Sequence, residues 1–447
     1  MKPSSSVLRP PSSKQPKVAL VYDRVNTPHG GAEQVLLALH ELYPAAPLYT
    51  SVYDAKKAKW ANIFTVKPSW LNKIPFANKL HRYLAWLMPL AFESFNFDEF
   101  DIIISITSAE AKGIITKPEQ LHVCYLLTPT RYLYSHRKHY LNSILKLPGI
   151  SFLVSQFLNY LVAWDQLASQ RPDHIIPISN LVAKRAKKYY DLQTEKPIYP
   201  TIINPKSEIL NPKQNLNSKS QISKLSSSIL RPPFYLVVSR LVSYKRIDLA
   251  IKACQQLDRK LIIVGTGPEL ARLKHLARNH KIQVPNPKQS SNFNIQFFET
   301  LKFKFLSFVC NLGFNIWNFP GKTIFLRTAS NDQIQKLIQN SLGLLMPGLE
   351  DFGITALEAV NLGSQVIIHE QSGVAEIIKN NPLVTTIKNE SVTAVKKAVQ
   401  DLEVKPLSSA HLPPSTFHLP PNYDTNYFCN QFSSTIKKLY VNFTPII

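Results

Sequence analysis

Pro347-Gly-Leu-Glu-Asp-Phe-Gly-Ile-Thr-Ala-Leu-Glu358 follows the apolar run 342–346, and together they decide the fold class. The run predicts a buried parallel strand, residues 347–351 its exit loop, and 354–362 a helix packed back on the sheet. That order turns the backbone N–H groups and positive dipole end at Phe352, Gly353, Ile354 and Thr355 toward whatever anion binds at the strand's carboxyl edge. Glu350 and Glu358, with seven residues between them, bracket the start of this helix. A sugar nucleotide fits such a place: Glu350 and Asp351 lie in the loop, where Glu350 accepts from sugar hydroxyls, and Glu358, one turn into the helix, reaches both hydroxyls of a ribose. An isolated pair of this kind reads more simply as a solvated loop acid and a surface helix residue.

Two further strand exits precede this one. Phe234-Tyr-Leu-Val-Val-Ser-Arg240 is a near-continuous apolar strand, followed by Leu241-Val-Ser-Tyr-Lys245-Arg246 and a helical stretch, 247–257. Arg240 and Lys245 straddle this turn, so a planar guanidinium and a compact ammonium can converge on one diphosphate. Two such cations also suit a solvated turn. Next comes Lys260-Leu-Ile-Ile-Val-Gly265-Thr-Gly267-Pro-Glu269. Its Gly265 and Gly267 make either a tight turn with backbone donors for phosphate or a plain turn.

At these residues the chain resembles the donor half of retaining, nucleotide-sugar-dependent glycosyltransferases of the GT-B fold. The motifs are Ser239-Arg-Leu-Val-x-x-Lys-Arg, Val264-Gly-x-Gly-Pro-Glu and Pro347-Gly-x-Glu-Asp-Phe-Gly-Ile-x-x-x-Glu-Ala, in the family's order and spacing. The amino-terminal half is similar to the same group through Lys17-Val-Ala-Leu-Val-Tyr-Asp23, His29-Gly30-Gly31-Ala-Glu33-Gln-Val, Met88-Pro-Leu-Ala-Phe-Glu93, His122-Val-Cys-Tyr and Thr128-Pro-Thr-Arg131-Tyr132. Within the family it looks most like bacterial mannosyltransferase-like enzymes of lipid-linked or capsular polysaccharide synthesis. The resemblance implies an α/β protein of two doubly wound Rossmann-like domains facing a cleft, with a C-terminal helix. The expected divisions are a tail, 1–16; an acceptor-side domain, 17–203; a polar linker, 204–233; a donor domain, 234–415, with an insert, 280–322; and a final segment, 416–447, expected to form a helix packed on the first domain.

The resemblance also distributes roles. Arg240, Lys245 and Glu350 take the catalytic positions. Gly30, Gly31, Gly265, Gly267, Asp351, Phe352, Gly353, Ile354, Thr355 and Glu358 are donor-binding, and Glu33, Arg131 and Tyr132 lie on the acceptor side. Gly30 and Gly31 lack Cβ atoms, so their loop either lets backbone N–H groups approach a phosphate or acceptor or simply makes a turn. Retention at the sugar is implied, the leaving phosphate taking the acceptor's proton. No Asp-x-Asp occurs, so protein cations rather than a metal are expected to stabilise the departing diphosphate. No cofactor is expected beyond a nucleotide-sugar substrate, with a GDP-sugar preferred by resemblance. One departure bears on recognition of the sugar or acceptor: Leu127 stands where relatives carry a histidine, with His122 and His136 nearby in the chain.

Composition narrows the setting. The chain has 447 residues, enough for two domains, and a net charge of +23. Nucleotide diphosphates, polyprenyl-type lipid phosphates, an anionic bilayer and nucleic acid all suit that charge, although no RNA-recognition signature, zinc finger or basic arm singles out nucleic acid. Cys124, Cys254, Cys310 and Cys429 show no C-x-x-C spacing, so a reducing cytoplasm is expected, with the inner face of the cell membrane as a candidate location. Neither a secretory leader nor a membrane-spanning run is visible. Segment 69–95, with Trp70, Leu71, Ile74, Leu80, Leu84, Trp86, Leu87 and Met88 among Lys73, Lys79, His81 and Arg82, fits either an anionic membrane surface or the domain core. The aromatic, basic insert fits a membrane-surface hairpin, a partner site or a loose loop. Rival readings are a non-catalytic GT-B relic holding anionic lipid or nucleic acid, a sugar-nucleotide epimerase and a phosphorylase.

Overall fold

The computed structural model describes residues 15–28, 30–75, 77, 84–135, 137, 150–202, 234–278, 316–318, 323–327, 329–404 and 424–443. The expected linker, His136 and most of the insert and tail lie outside them. The chain divides into two units, Met1–Asn204 with Pro421–Ile447, and Pro205–Pro420.

In the first unit the apolar runs become β1 (Val18–Tyr22), β2 (Leu48–Thr50), β3 (Val66–Pro68), β4 (Ile102–Thr107), β5 (Leu121–Leu126) and β6 (His174–Pro177). Every residue of β1, β4 and β5 is buried. Such uniform burial needs cover on both faces, as parallel sheets have. The strands order as β3-β2-β1-β4-β5-β6, all parallel. The helices are α1 (Gly31–Leu42), α2 (Met88–Glu93), α3 (Ile150–Ser169) and α4 (Asn180–Tyr190). The Ser179 hydroxyl caps α4 by accepting the Val182 N–H at 3.2 Å.

The second unit has β7 (Phe234–Val238), α5 (Ile247–Gln256), β8 (Lys260–Val264), α6 (Leu270–Arg278), β9 (Ile316–Asn318), β10 (Thr323–Leu326), α7 (Asn331–Asn340), β11 (Gly343–Met346), α8 (Ile354–Asn361), β12 (Val366–His369), α9 (Ala375–Ile378), β13 (Val384–Ile387) and α10 (Val392–Val404). Its sheet runs β13-β12-β11-β7-β8-β10-β9, parallel except for β9 at the edge. Tyr235, Leu261, Phe325, Leu345 and Ile367 pack with α5 and α10 in one core cluster. Each sheet reverses its winding once, between β1 and β4 in the first unit and between β7 and β11 in the second. Ligands of open α/β sheets bind outside the carboxyl ends of the strands at such reversals.

The C-terminal helix, α11 (Thr425–Asn442), belongs to the first unit. Its Phe428, Phe432, Ile436 and Leu439 recur at helical spacing and are buried, the first two edge-on to Tyr125. Burying one such aromatic side chain is worth about 2–3 kcal/mol. Segment 69–95 contributes part of its apolar residues to the core. Leu71, Met88 and Ala91 join Val52 in a core cluster, whereas Trp70, Trp86 and Leu90 are exposed.

Candidate functional site

Three loops of the second unit are stitched together where its sheet reverses. The β7 exit carries Ser239, the exposed Arg240, Leu241 and the turn Ser243–Lys245. It runs so close to the β8 exit that a Cβ on Gly265 would stand 1.9 Å from the Ser239 carbonyl oxygen, and one on Gly267 2.2 Å from that of Leu241. Gly265 has φ +144°, a conformation that side chains resist. Its N–H donates to the Leu326 carbonyl at 2.8 Å, so this donor is spent within the sheet. The two glycines thus brace the loop bearing Arg240.

The β11 exit sits on the β7 exit in the same manner. A Cβ on Gly348 would lie 2.3 Å from the Tyr244 carbonyl oxygen. This contact brings the Lys245 ammonium into an ion pair with Glu350. The Lys245 side chain is 19% exposed and that of Glu350 8%, so the pair lies at a protected rim with one end open to water. The loop after β12 fixes the carboxylate from behind: the Glu350 N–H donates to the Ser372 hydroxyl at 3.1 Å, and the Gly373 N–H to the Glu350 carbonyl at 3.1 Å. Glu390, after β13, accepts from the Leu349 N–H at 3.0 Å and pairs with Arg246 at 2.7 Å. These bonds hold Arg246 in a left-handed conformation, φ 48°, just before α5.

Gly353, φ +106°, caps α8 without a side chain, leaving half-buried Ile354 and Thr355 in its first turn. Asp351 and Phe352 are buried beneath them, and Glu358 is half-buried one turn on. The structure therefore joins Lys245 to Glu350 directly and sets Arg240 and the α8 start on adjoining loops. Ser372, Gly373 and Glu390 carry no motif noticed in the sequence; their signal is position, each just beyond a further strand of the sheet.

A second cluster occupies the reversal in the first unit. Asp23, after β1, accepts from the Thr107 hydroxyl at 2.7 Å and from the Ser108 and Ala111 N–H groups at 2.7 and 2.9 Å. Arg24 pairs with buried Glu110 at 2.6 Å, and the Tyr132 hydroxyl donates to the same carboxylate at 2.6 Å. Burial pushes the Glu110 carboxyl up against the opposing pull of Arg24. Tyr132 is thus brought to this cluster, while Arg131 lies half-buried beside it in sequence. The buried Glu33 carboxylate accepts from the Tyr22 hydroxyl at 2.9 Å and the Thr27 hydroxyl at 3.4 Å. Gly30 and Gly31 start α1, where a Cβ on Gly30 would fall 2.9 Å from a Glu33 oxygen.

Deeper in this unit Lys112 and Asp165 pair at 2.5 Å, with Thr130 and Tyr190 hydroxyls donating to the same carboxylate at 2.8 and 2.9 Å. His122 occupies a structural position. It is buried in β5, shares a 2.8 Å hydrogen bond with the Ser105 hydroxyl, and burial, with a contribution from Arg171, pushes it down to about 3. Imidazole held neutral inside a strand has no access to substrate. Leu127 follows β5, its N–H bonded to the Thr107 carbonyl.

The sequence profile of the family Glycosyl transferases group 1 matches residues 219–293 and 318–412. The alpha-1,3/1,6-mannosyltransferase ALG2 of Candida glabrata is 25% identical over 400 residues, covering 82% of this chain and 78% of the relative. Among solved structures, Anabaena Alr3699/HepE in complex with UDP-glucose superposes with a TM-score of 0.54 at 17% identity, over 95% of this chain and 100% of that one. WaaG, a glycosyltransferase involved in lipopolysaccharide biosynthesis, gives 0.56 at 16% identity, over 94% and 99%. No helix among the described residues is long and apolar enough to cross a membrane.

Proposed function

We propose that this chain, whose residues 219–293 and 318–412 match the group 1 glycosyltransferases, is a GT-B glycosyltransferase that moves a hexose, with mannose the leading candidate, from a nucleoside diphosphate to a saccharide or polyprenyl-linked acceptor in cell-surface polysaccharide synthesis at the inner membrane face. The observation that carries this reading is the Lys245–Glu350 pair at the reversal of the second sheet, beside the first turn of α8.

The chemistry follows from charge. A departing nucleoside diphosphate gains negative charge as the sugar–oxygen bond lengthens, and cations and backbone dipoles already in place stabilise it without reorganising. In this reading Lys245 meets that charge at one oxygen, Arg240 reaches the diphosphate from the same loop, and the N–H groups of Ile354 and Thr355 face the distal phosphate. Glu350 holds the ammonium in position in the empty site and turns to the sugar hydroxyls once phosphate replaces it. Glu358 binds the ribose. The acceptor oxygen attacks on the face the diphosphate leaves, its proton passing to the leaving phosphate oxygen, so configuration is retained and no enzymic nucleophile is required. Protein cations fill the part a metal plays elsewhere. Glu110, Arg24 and Tyr132 are the acceptor-side candidates in the first unit.

Melting temperature with a panel of nucleotide sugars tests the donor half, since a ligand of the native state stabilises it by mass action. GDP-mannose is expected to give the largest rise, with UDP-glucose as the principal competitor. If no nucleotide sugar raises the transition, the donor assignment is wrong.

A further inference from the structure

We infer that Tyr244 is a positioning residue for Lys245: its ring keeps the ammonium aimed when Glu350 gives it up to a diphosphate. The inference rests on the role proposed above for Lys245 and adds a residue which that reading leaves unused. The Lys245 Nζ lies over the Tyr244 ring, 5.3 Å from its centroid. At this separation the negative face of an aromatic ring attracts a cation. The backbone beneath is fixed from the other side, because a Cβ on Gly348 would stand 2.7 Å from the Lys245 carbonyl carbon and 2.9 Å from its Cα. Beyond the turn, Arg246 is tied to Glu390 and Asp248. With the main chain held in this way, the freedom that remains is in the Lys245 side chain.

A lysine is a point charge on a flexible stem and lacks the planar fork that orients an arginine. Glu350 and the half-buried Tyr244 both restrain this one, and they differ in what an arriving diphosphate does to them. The carboxylate competes with phosphate for the same ammonium and repels it. The ring bears no net charge, touches the ammonium from one side and leaves the remaining N–H directions to the ligand. In the empty site Glu350 holds the ammonium with or without the ring, so loss of the ring's attraction is felt chiefly in the bound state. A restraint that outlasts the ion pair matters because a displacement of about 1 Å at a reacting centre can cost about a hundredfold in rate.

Inorganic pyrophosphate is the probe, titrated calorimetrically, so the result depends on neither base, sugar nor acceptor. Tyr244→Phe keeps the ring and should bind within about twofold of wild type, whereas Tyr244→Leu should bind about tenfold more weakly. Phenylalanines carrying one, two and three ring fluorines at position 244 withdraw electron density from the face at nearly constant shape. Across that series affinity should fall stepwise, to about tenfold in all, while the melting temperature of the ligand-free protein stays level. The series decides the matter even where Tyr244→Leu does not fold, since a ring that serves packing alone would leave affinity unchanged along it. Level affinity across the fluorinated proteins, with Lys245→Ala binding poorly, would overturn the inference and spare the role of Lys245. Pyrophosphate binding that survives Lys245→Ala, or is missing from the wild type, would overturn both.

Discussion

Each unit contains a lysine–carboxylate pair, and the two differ in what surrounds them. Lys112 and Asp165 are 1% and 0% exposed. The ammonium has three partners: Asp165, the Ala109 carbonyl and the Thr130 hydroxyl. The carboxylate accepts from Lys112 and Thr130 on one oxygen and from Tyr190 on the other. Burial alone would depress Lys112, but Asp165 more than reverses this and leaves the ammonium above its ordinary value. Lys245 is 19% exposed, with Glu350 as its carboxylate partner. A buried charge pair whose hydrogen-bonding capacity is filled cannot exchange partners without stranding a charge. A pair open at one end can trade its carboxylate for a phosphate. The first is a strut between the β4 exit and α3, and the second suits a ligand site.

The comparison makes opposite predictions for the two pairs. Asp165→Ala should cost about 3–5 kcal/mol of stability, the penalty for leaving a buried ammonium unpaired. Denaturant unfolding measures this, and a loss below about 1 kcal/mol would mean that the first pair is not a strut. Lys245→Ala should reduce transfer about a hundredfold or more, on the scale for removing one preorganised donor. Its melting curve should stay closer to wild type than that of Asp165→Ala. Equal destabilisation by both changes, with transfer intact in Lys245→Ala, would erase the distinction.

The closed interior of the first unit has a pH signature as well. His122 falls to about 3 in the folded state, whereas an exposed histidine titrates near 6.5. The unfolded chain therefore binds a proton that the folded chain refuses in this interval. Stability from neutral His122 is complete above about 6.5 and is lost as pH falls toward 3, by about 1.4 kcal/mol per pH unit. At pH 5 the loss is about 2 kcal/mol. Comparing urea midpoints at pH 7 and pH 5 in wild type and His122→Gln measures it, with the variant expected to show a smaller acid-side decline. Equal declines would mean that His122 is protonated in the native state.

What was legible in the chain follows from the range of each interaction. Runs 342–346 and 234–240 anticipated β11 and β7, and 354–362 the helix α8, because burial of a whole strand and helical period are local signals. Lys245 and Glu350 were legible as separate strand-exit residues. Their direct pairing was not, since 105 positions separate them and only the adjacency of β7 and β11 brings them together. Ser372 and Glu390 were missed for the same reason. The Asp23 cluster spans 85 positions to Ser108 and depends on β4 lying beside β1. Gly265 and Gly267 were ambiguous because a glycine needed for contact with another loop looks, in sequence, like a glycine needed for a phosphate. Segment 69–95 was ambiguous because alternate faces of the same short turns go inward and outward.

The smallest predicted effect sharpens the comparison most finely. Glu350 is positioned through its backbone: its N–H donates to the Ser372 hydroxyl and its carbonyl accepts from Gly373. Ser372→Ala removes the first of these bonds while leaving the ion pair's own atoms in place. A single hydrogen bond of this kind contributes about 1 kcal/mol, so the stability loss should be near that value. If the Glu350 carboxylate is held ready for the sugar by this loop, the variant should also weaken donor binding by up to about fivefold, the same energy expressed in affinity. Thermal shift with the preferred nucleotide sugar reads this against Ser372→Thr, which keeps a hydroxyl and should restore affinity. A stability loss with unaltered donor affinity would show that the loop supports the fold and not the site. The openness of the Lys245–Glu350 pair would then have to be explained by Lys245 alone.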